Sequence, residues 1–127
     1  MDDLTAAQRT AQAWLAEHRA ALSADHMHLW RLAEPSWREY RSAAWFVERL
    51  RREGFEVEAG TAGMPTAFKA VWRNGDGPVL ANIAEYDAVP GQSQEPGTER
   101  KPRAGTTRHA AGHTDPHSAL GIAALGG

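Results

Sequence analysis

Apolar residues near the start of the chain recur at three- and four-residue steps: Ala7, Ala11, Trp14, Leu15 and Leu22, with His18 on the same face. That period is the mark of an amphipathic helix. Thr5 and Gln8 have the spacing of a capping box, in which a hydroxyl accepts from a backbone N–H and the amide reaches back. A helix is therefore expected from just after Thr5 to about residue 24. The following "HMHLWRLA" (26–33) either continues it or starts again after Ser23. Pro35 interrupts, and Ser36 with Glu39 repeats the capping-box spacing. Trp37, Tyr40, Ala44, Val47 and Leu50 then share one face of a second helix, and Gly54 is its natural stop beyond the basic "RLRRE". Aromatic residues at such spacing are most often core, so Trp37 and Tyr40 are expected to face inward.

The period changes after Gly54. "FEVEA" (55–59) alternates apolar and acidic positions as a half-buried strand does, and "TAFKAVWR" (66–73) reads as a second strand. "NGDG" (74–77) signals a turn. The nearly continuous apolar run "PVLANIAE" (78–85) reads as an interior strand. From Tyr86 to Arg108 the chain is rich in Pro, Gly, Gln and charge, as a loop is. "SALGIAALGG" (118–127) looks like the first turns of a small-residue helix with nothing to pack on. The fold class expected is α/β: N-terminal helices (1–33) packed on a mixed sheet, with 34–127 the start of an α/β core that is incomplete.

Composition narrows the function classes. A chain of 127 residues is about one domain. A formal net charge of −2 offers no basic footprint, which argues against nucleic acid as a partner. Without cysteine there is no disulfide and no thiolate ligand or nucleophile. The start "MDDLTAAQRT" lacks the apolar stretch of a signal peptide, and no run reaches the roughly 20 apolar residues that span a bilayer. The expectation is a soluble, cytoplasmic protein.

The chemistry gathers near the end. "HAAGHTDPHSALG" (109–121) places His109, His113 and His117 within nine residues, with Asp115 between the last two. Imidazole and carboxylate suit zinc, manganese, cobalt or nickel. The i, i+4 spacing would align the three rings on a helix, but Gly112 and Pro116 argue against one there. The alternative is a solvent-exposed loop that is merely rich in histidine. Glu85 and Asp87 sit where the apolar run ends, at the place where open α/β sheets bind ligands. Either could hold a metal or fix the tautomer of a ligand histidine; otherwise they only solubilise a loop.

Together these stretches resemble one family: the zinc-type metallopeptidases and amidohydrolases that include aminobenzoyl-glutamate hydrolase, the auxin-conjugate and hippurate amidohydrolases, aminoacylase and related carboxypeptidases. "HLWRLAEPSWREYRSAAWFVERLRREGFEVEAG" is similar to the family's opening. "ANIAEYDAVPGQSQ" resembles its "Gly-Glu-Tyr-Asp-Ala-Leu-x-Gly-x-Ser-Gln" stretch. "HAAGHTDPHSALGIAAL" resembles its "His-(Gly/Ala)-Cys-Gly-His-Asp-x-His" metal motif running into a helix. The resemblance covers about residues 26 to 127.

Carried over by position, the resemblance makes His113 a metal ligand and Asp87 the catalytic aspartate that supports the metal from behind. Glu85, His109 and His117 become additional ligands or supporting groups. Ala111 stands where the family has its cysteine ligand, and one residue is inserted after His113. Asp115 is thus either the displaced family aspartate or a replacement ligand. What is implied is the N-terminal fragment of an enzyme that hydrolyses an amide bond in an N-acyl amino acid or small peptide. It would use a divalent metal ion, zinc first, with manganese, cobalt or nickel compatible. The resemblance allows a homodimer of the full-length enzyme. It also puts a general-base glutamate, a further ligand histidine and a second domain beyond the residues present, so the 127-residue chain alone is expected to be inactive. The rival expectation is a catalytically inactive metal-binding or protein-interaction domain.

Overall fold

A computed structural model describes residues 4–126; Met1–Asp3 of the acidic start and Gly127 lie outside the described residues. The first helix, α1 (Ala6–Leu32), runs without interruption through Ser23. Its capping box forms as the sequence implies: Gln8 N donates to Thr5 Oγ1 at 3.2 Å, and Thr5 N to Gln8 Oε1 at 2.8 Å. The amphipathic stripe on its first half is only partly covered. Trp14 and Leu15 stay 39% and 46% exposed, and Leu29 near the far end is the residue this helix buries fully.

The second helix, α2 (Tyr40–Arg52), starts later than its sequence pattern suggests. Ser36 and Glu39 do not form a capping box. Glu39 is itself the N-cap residue and makes no side-chain cap bond, because its Oε1 accepts from Trp37 N at 2.9 Å. Glu34 does the capping instead. Its carboxylate accepts from the backbone N–H groups of Arg41 (3.2 Å) and Ser42 (2.8 Å) and from the Ser42 hydroxyl (2.8 Å). A carboxylate at this end satisfies free N–H groups and opposes the positive pole of the helix dipole. The buried face of α2 is Ser42, Ala43, Phe46 and Val47. Trp37 and Tyr40, expected inside, are 64% and 58% exposed. The covered stripe is thus rotated from the expected one, and only Val47 is common to both.

After Gly54, whose φ of +88° suits glycine, β1 (Glu56–Ala59) and β2 (Phe68–Val71) pair antiparallel, with Glu56 opposite Val71 and Ala59 opposite Phe68. The sheet among the described residues is this two-stranded hairpin. The interior strand expected over 78–85 does not form. Val79, Leu80 and Ile83 are 94%, 88% and 91% exposed. An apolar run becomes an inner strand only when neighbours pair with both of its edges and cover its faces, and no described segment does so. The architecture is mixed α and β, with helices packed on a small sheet, as expected of part of a larger domain.

Phe46 is the centre of packing. Its ring lies 5.1 Å from Trp45, 5.9 Å from Phe68 and 5.0 Å from Tyr86. Around it, α2, the hairpin and the start of the long loop share one aromatic cluster. The last helix, α3 (His117–Gly126), does find a partner. It packs against α1 beside Leu15 and Leu22, and it contributes Ile122 to the core of Leu29 and Phe46. Gly121 permits that approach. A Cβ there would stand 2.8 Å from Phe46 Cζ and 3.2 Å from the Glu85 carbonyl oxygen. In an open helix, alanine is favoured over glycine by about 1 kcal/mol. In this helix the crowding outweighs that preference. Gly121→Ala is expected to lower stability by about 1–3 kcal/mol, read as a drop in the urea midpoint; a rise would show that α3 does not sit against Phe46.

Candidate functional site

Tyr86 fixes the acidic segment. Its ring is held between Phe46 and Phe68, and its hydroxyl donates to the Thr66 carbonyl. Burial, with the Glu39 charge nearby, pushes the phenol up to about 12. Neighbouring side chains in an extended segment point to opposite sides, so anchoring Tyr86 inward directs Glu85 and Asp87 the other way. Two isolated bridges continue the placement. Pro35 pairs with Ala88, with Ala88 N donating to Glu34 O at 2.7 Å. Val89 pairs with Gly112 through Val89 N to Gly112 O at 2.9 Å and Gly112 N to Val89 O at 3.1 Å. Gly112 has no room for a side chain, since a Cβ would run into the Gln92 carbonyl. The histidine loop is thereby tied to the segment beside Asp87.

His117, at the first turn of α3, joins the carboxylates. Its Nδ1 donates to Asp87 Oδ1 at 2.8 Å, its Nε2 lies 3.0 Å from Glu85 Oε2, and Asp115 Oδ2 is 3.8 Å from Nδ1. Asp115 also accepts from the His117 backbone N–H at 3.1 Å, satisfying one free donor at the start of α3. Burial works against a charged His117, but the negative charges of Asp115, Asp87 and Glu85 outweigh it and raise the imidazole above its ordinary value. Asp87 moves the other way. Burial would raise it, and the bond from the Ser36 hydroxyl together with His117 brings it below the usual carboxylate range.

His113 is a different kind of group. It is 1% exposed, packed with its ring centroid 6.5 Å from that of Trp30, and neither ring nitrogen has a hydrogen-bond partner. Burial lowers its basicity, and the charges of Asp115 and Asp87 recover only part of that. The ring is therefore neutral at pH 7, with a free lone pair. Asp115 Oδ2 is also buried without a hydrogen-bond partner. Buried polar groups left unsatisfied cost free energy and call for a reason. Among the described residues no three His, Asp or Glu side chains already form a group that could hold a metal ion.

Of the residues singled out in the sequence, the structure brings His117, Asp87, Glu85 and Asp115 into one network and buries His113 within its electrostatic reach. His109 is left out: it is exposed and accepts from Arg108 Nε at 3.1 Å. Three participants had no signal in the sequence that marked them for the site. The Ser36 hydroxyl donates to Asp87 Oδ2. His26 Nε2 and Ser118 Oγ lie 3.0 Å apart, joining α1 to the first turn of α3 beside the network. Ser36 carried only the spacing of a helix cap, and His26 and Ser118, on α1 and α3, carry no spacing pattern that would have marked them for a site.

The ion pair has a pH signature in the metal-free chain. His117, raised on folding, adds stability that is complete below its ordinary value of about 6.5 and disappears as pH rises through the raised value. Asp87, lowered on folding, adds stability that is present above about 3.9 and disappears as pH falls through the lowered value. The stability gap between wild type and His117→Asn should thus be widest between roughly pH 4 and 6.5 and should narrow above it, followed as urea midpoints. A gap that stays constant to pH 9 would mean the imidazole is not paired with the carboxylates.

No family model matches the chain, and no solved structure matches it. Among curated proteins it is 34% identical over 97 residues to a subunit of the p-aminobenzoyl-glutamate hydrolase of Escherichia coli, covering 76% of this chain and 20% of that protein. It is 38% identical over 88 residues to thermostable carboxypeptidase 2 of Saccharolobus solfataricus, covering 68% of this chain and 22% of that one. The chain thus spans about a fifth of the length of these relatives. With the acidic segment and the histidine loop held together as described, these similarities support a place for the chain in the family of peptidases and amidohydrolases that the two proteins represent.

Proposed function

We propose that this chain carries part of the metal-binding half of an enzyme that hydrolyses the amide bond of an N-acyl amino acid or small peptide, as its N-terminal fragment. One observation carries the reading: both ring nitrogens of fully buried His113 and the inner oxygen of Asp115 lack partners. A neutral imidazole and a carboxylate are donors that suit a divalent cation, and a bound ion would give a partner to one His113 nitrogen and to the Asp115 oxygen. The donor set fits zinc first, with manganese, cobalt or nickel compatible. The names of the two relatives, a hydrolase of p-aminobenzoyl-glutamate and a carboxypeptidase, support amide substrates.

In this reading His113 and Asp115 hold the cation, which supplies Lewis acidity toward water and an amide carbonyl. The remaining residues are this chain's own contribution. Asp87 holds the Nδ1 proton of His117 and fixes its ring, while Glu85 engages the opposite nitrogen, so a proton is kept at the mouth of the site. Trp30 and the fold around His113 keep bulk water from the ring. The described residues include no helix long and apolar enough to cross a membrane. A second reading, a protein-interaction domain without activity, draws on the exposed Val79, Leu80 and Ile83.

Calorimetric titration of the 127-residue chain with zinc, cobalt and manganese separates the two. Saturable binding is expected, weakened by at least roughly tenfold in the His113→Ala, Asp115→Ala double variant, while turnover of N-acyl amino acids by this chain alone stays below detection. Equal affinity in wild type and double variant would remove the proposed site. Turnover abolished by His113→Ala would show that the chain suffices as an enzyme.

A further inference from the structure

Segment 34–37 is built as a clamp on the far side of Asp87. Glu34 is fastened to the N-terminus of α2 by three hydrogen bonds, two from backbone N–H groups and one from the Ser42 hydroxyl. A fourth comes from Arg41 Nε at 3.1 Å. The backbone beyond it is pinned twice: Glu34 O accepts from Ala88 N at 2.7 Å, and Pro35 O accepts from Arg38 N at 2.9 Å. Ala88 is fully buried, so the acidic segment cannot move independently of this turn. At the turn's crest Trp37 holds a φ of +66°, in the left-handed region that bulky residues avoid. That conformation is kept although the Trp37 side chain is 64% exposed and gains little from packing. The turn sets the position of Ser36, whose hydroxyl donates to Asp87 Oδ2 while Oδ1 accepts from His117.

A carboxylate free to rotate would present either oxygen to His117 and would swing toward Glu85 or solvent. With Oδ2 occupied by Ser36, one orientation remains. We propose that Ser36 is a positioning residue of the site: its hydroxyl locks the Asp87 carboxylate so that Oδ1 holds the His117 ring in register with the histidine loop. Its use in metal binding rests on the function proposed above, whereas the locking of Asp87 does not, so the two are tested apart.

The hydrogen-bonded ring proton of His117 is the direct readout in the metal-free chain, assigned by its loss in His117→Asn. In wild type it is expected downfield and in slow exchange with solvent. Ser36→Ala should speed that exchange by roughly tenfold or more, as loss of a bond to a charged group implies, and Ser36→Thr should restore it. Ser36 is itself exposed, and the turn's backbone bonds do not use its side chain, so the thermal midpoint of Ser36→Ala should stay close to wild type. An unchanged ring proton in Ser36→Ala would overturn the proposal. So would a melt that collapses, since the hydroxyl would then serve the fold rather than Asp87. A cobalt titration of the same proteins tests the other reading. If wild type takes up no cobalt while the ring proton still responds to Ser36→Ala, the metal assignment fails and the positioning role stands.

Discussion

The imidazole of His117 lies between the carboxylates of Asp87 and Glu85, and that contact joins parts of the chain 30 residues apart. The rest of the site is arranged around it. His117 opens α3, so its position follows from how α3 docks on α1 and Phe46. Asp87 and Glu85 flank Tyr86, so theirs follows from the aromatic cluster. Two independent packing surfaces must therefore agree to within a hydrogen-bond length for the ring to meet both carboxylates. The closeness they allow is set by absent side chains, at Gly121 beside the Glu85 carbonyl and at Gly112, within the histidine loop, against the Gln92 backbone.

The electrostatics of the two neighbouring histidines differ because their surroundings do. His117 keeps some contact with solvent and faces three carboxylates, which favours its charged form. His113 is enclosed beside Trp30 with no partner for either nitrogen, which favours the neutral form. A neutral, buried, unpartnered imidazole next to a more basic one is an arrangement that separates roles: one ring offers a lone pair, the other takes up a proton more readily. Separation of this kind is what acid–base chemistry at neutral pH requires of neighbouring groups.

How much of this was legible in the sequence varies with the range of the forces involved. The capping box at Thr5 and Gln8 formed as read because its bonds span one helical turn. The same spacing at Ser36 and Glu39 misled, because a long-range pairing of Pro35 with Ala88 draws Ser36 out of the helix and onto Asp87. Apolar periodicity marked α2 but not which of its sides is covered, so Trp37 and Tyr40 came out exposed. The run at 78–85 has the composition of an inner strand yet stands unpaired, since burial of a strand depends on neighbours and not on its own residues. Asp87, His113, Asp115 and His117 were marked by residue type and spacing. That His117 pairs with the carboxylates while His113 is buried without partners depends on tertiary packing, and the sequence carries no sign of it.

The central claim is that the enclosed ring of His113 is a metal ligand. X-ray absorption at the zinc edge of the zinc-loaded chain tests it most directly, with His113→Ala alongside. The account predicts an imidazole nitrogen at about 2.0–2.1 Å from zinc, together with carboxylate oxygen, and loss of imidazole scattering in the variant. A shell of oxygen alone in the wild-type chain, or an imidazole contribution that survives removal of the His113 ring, would contradict it.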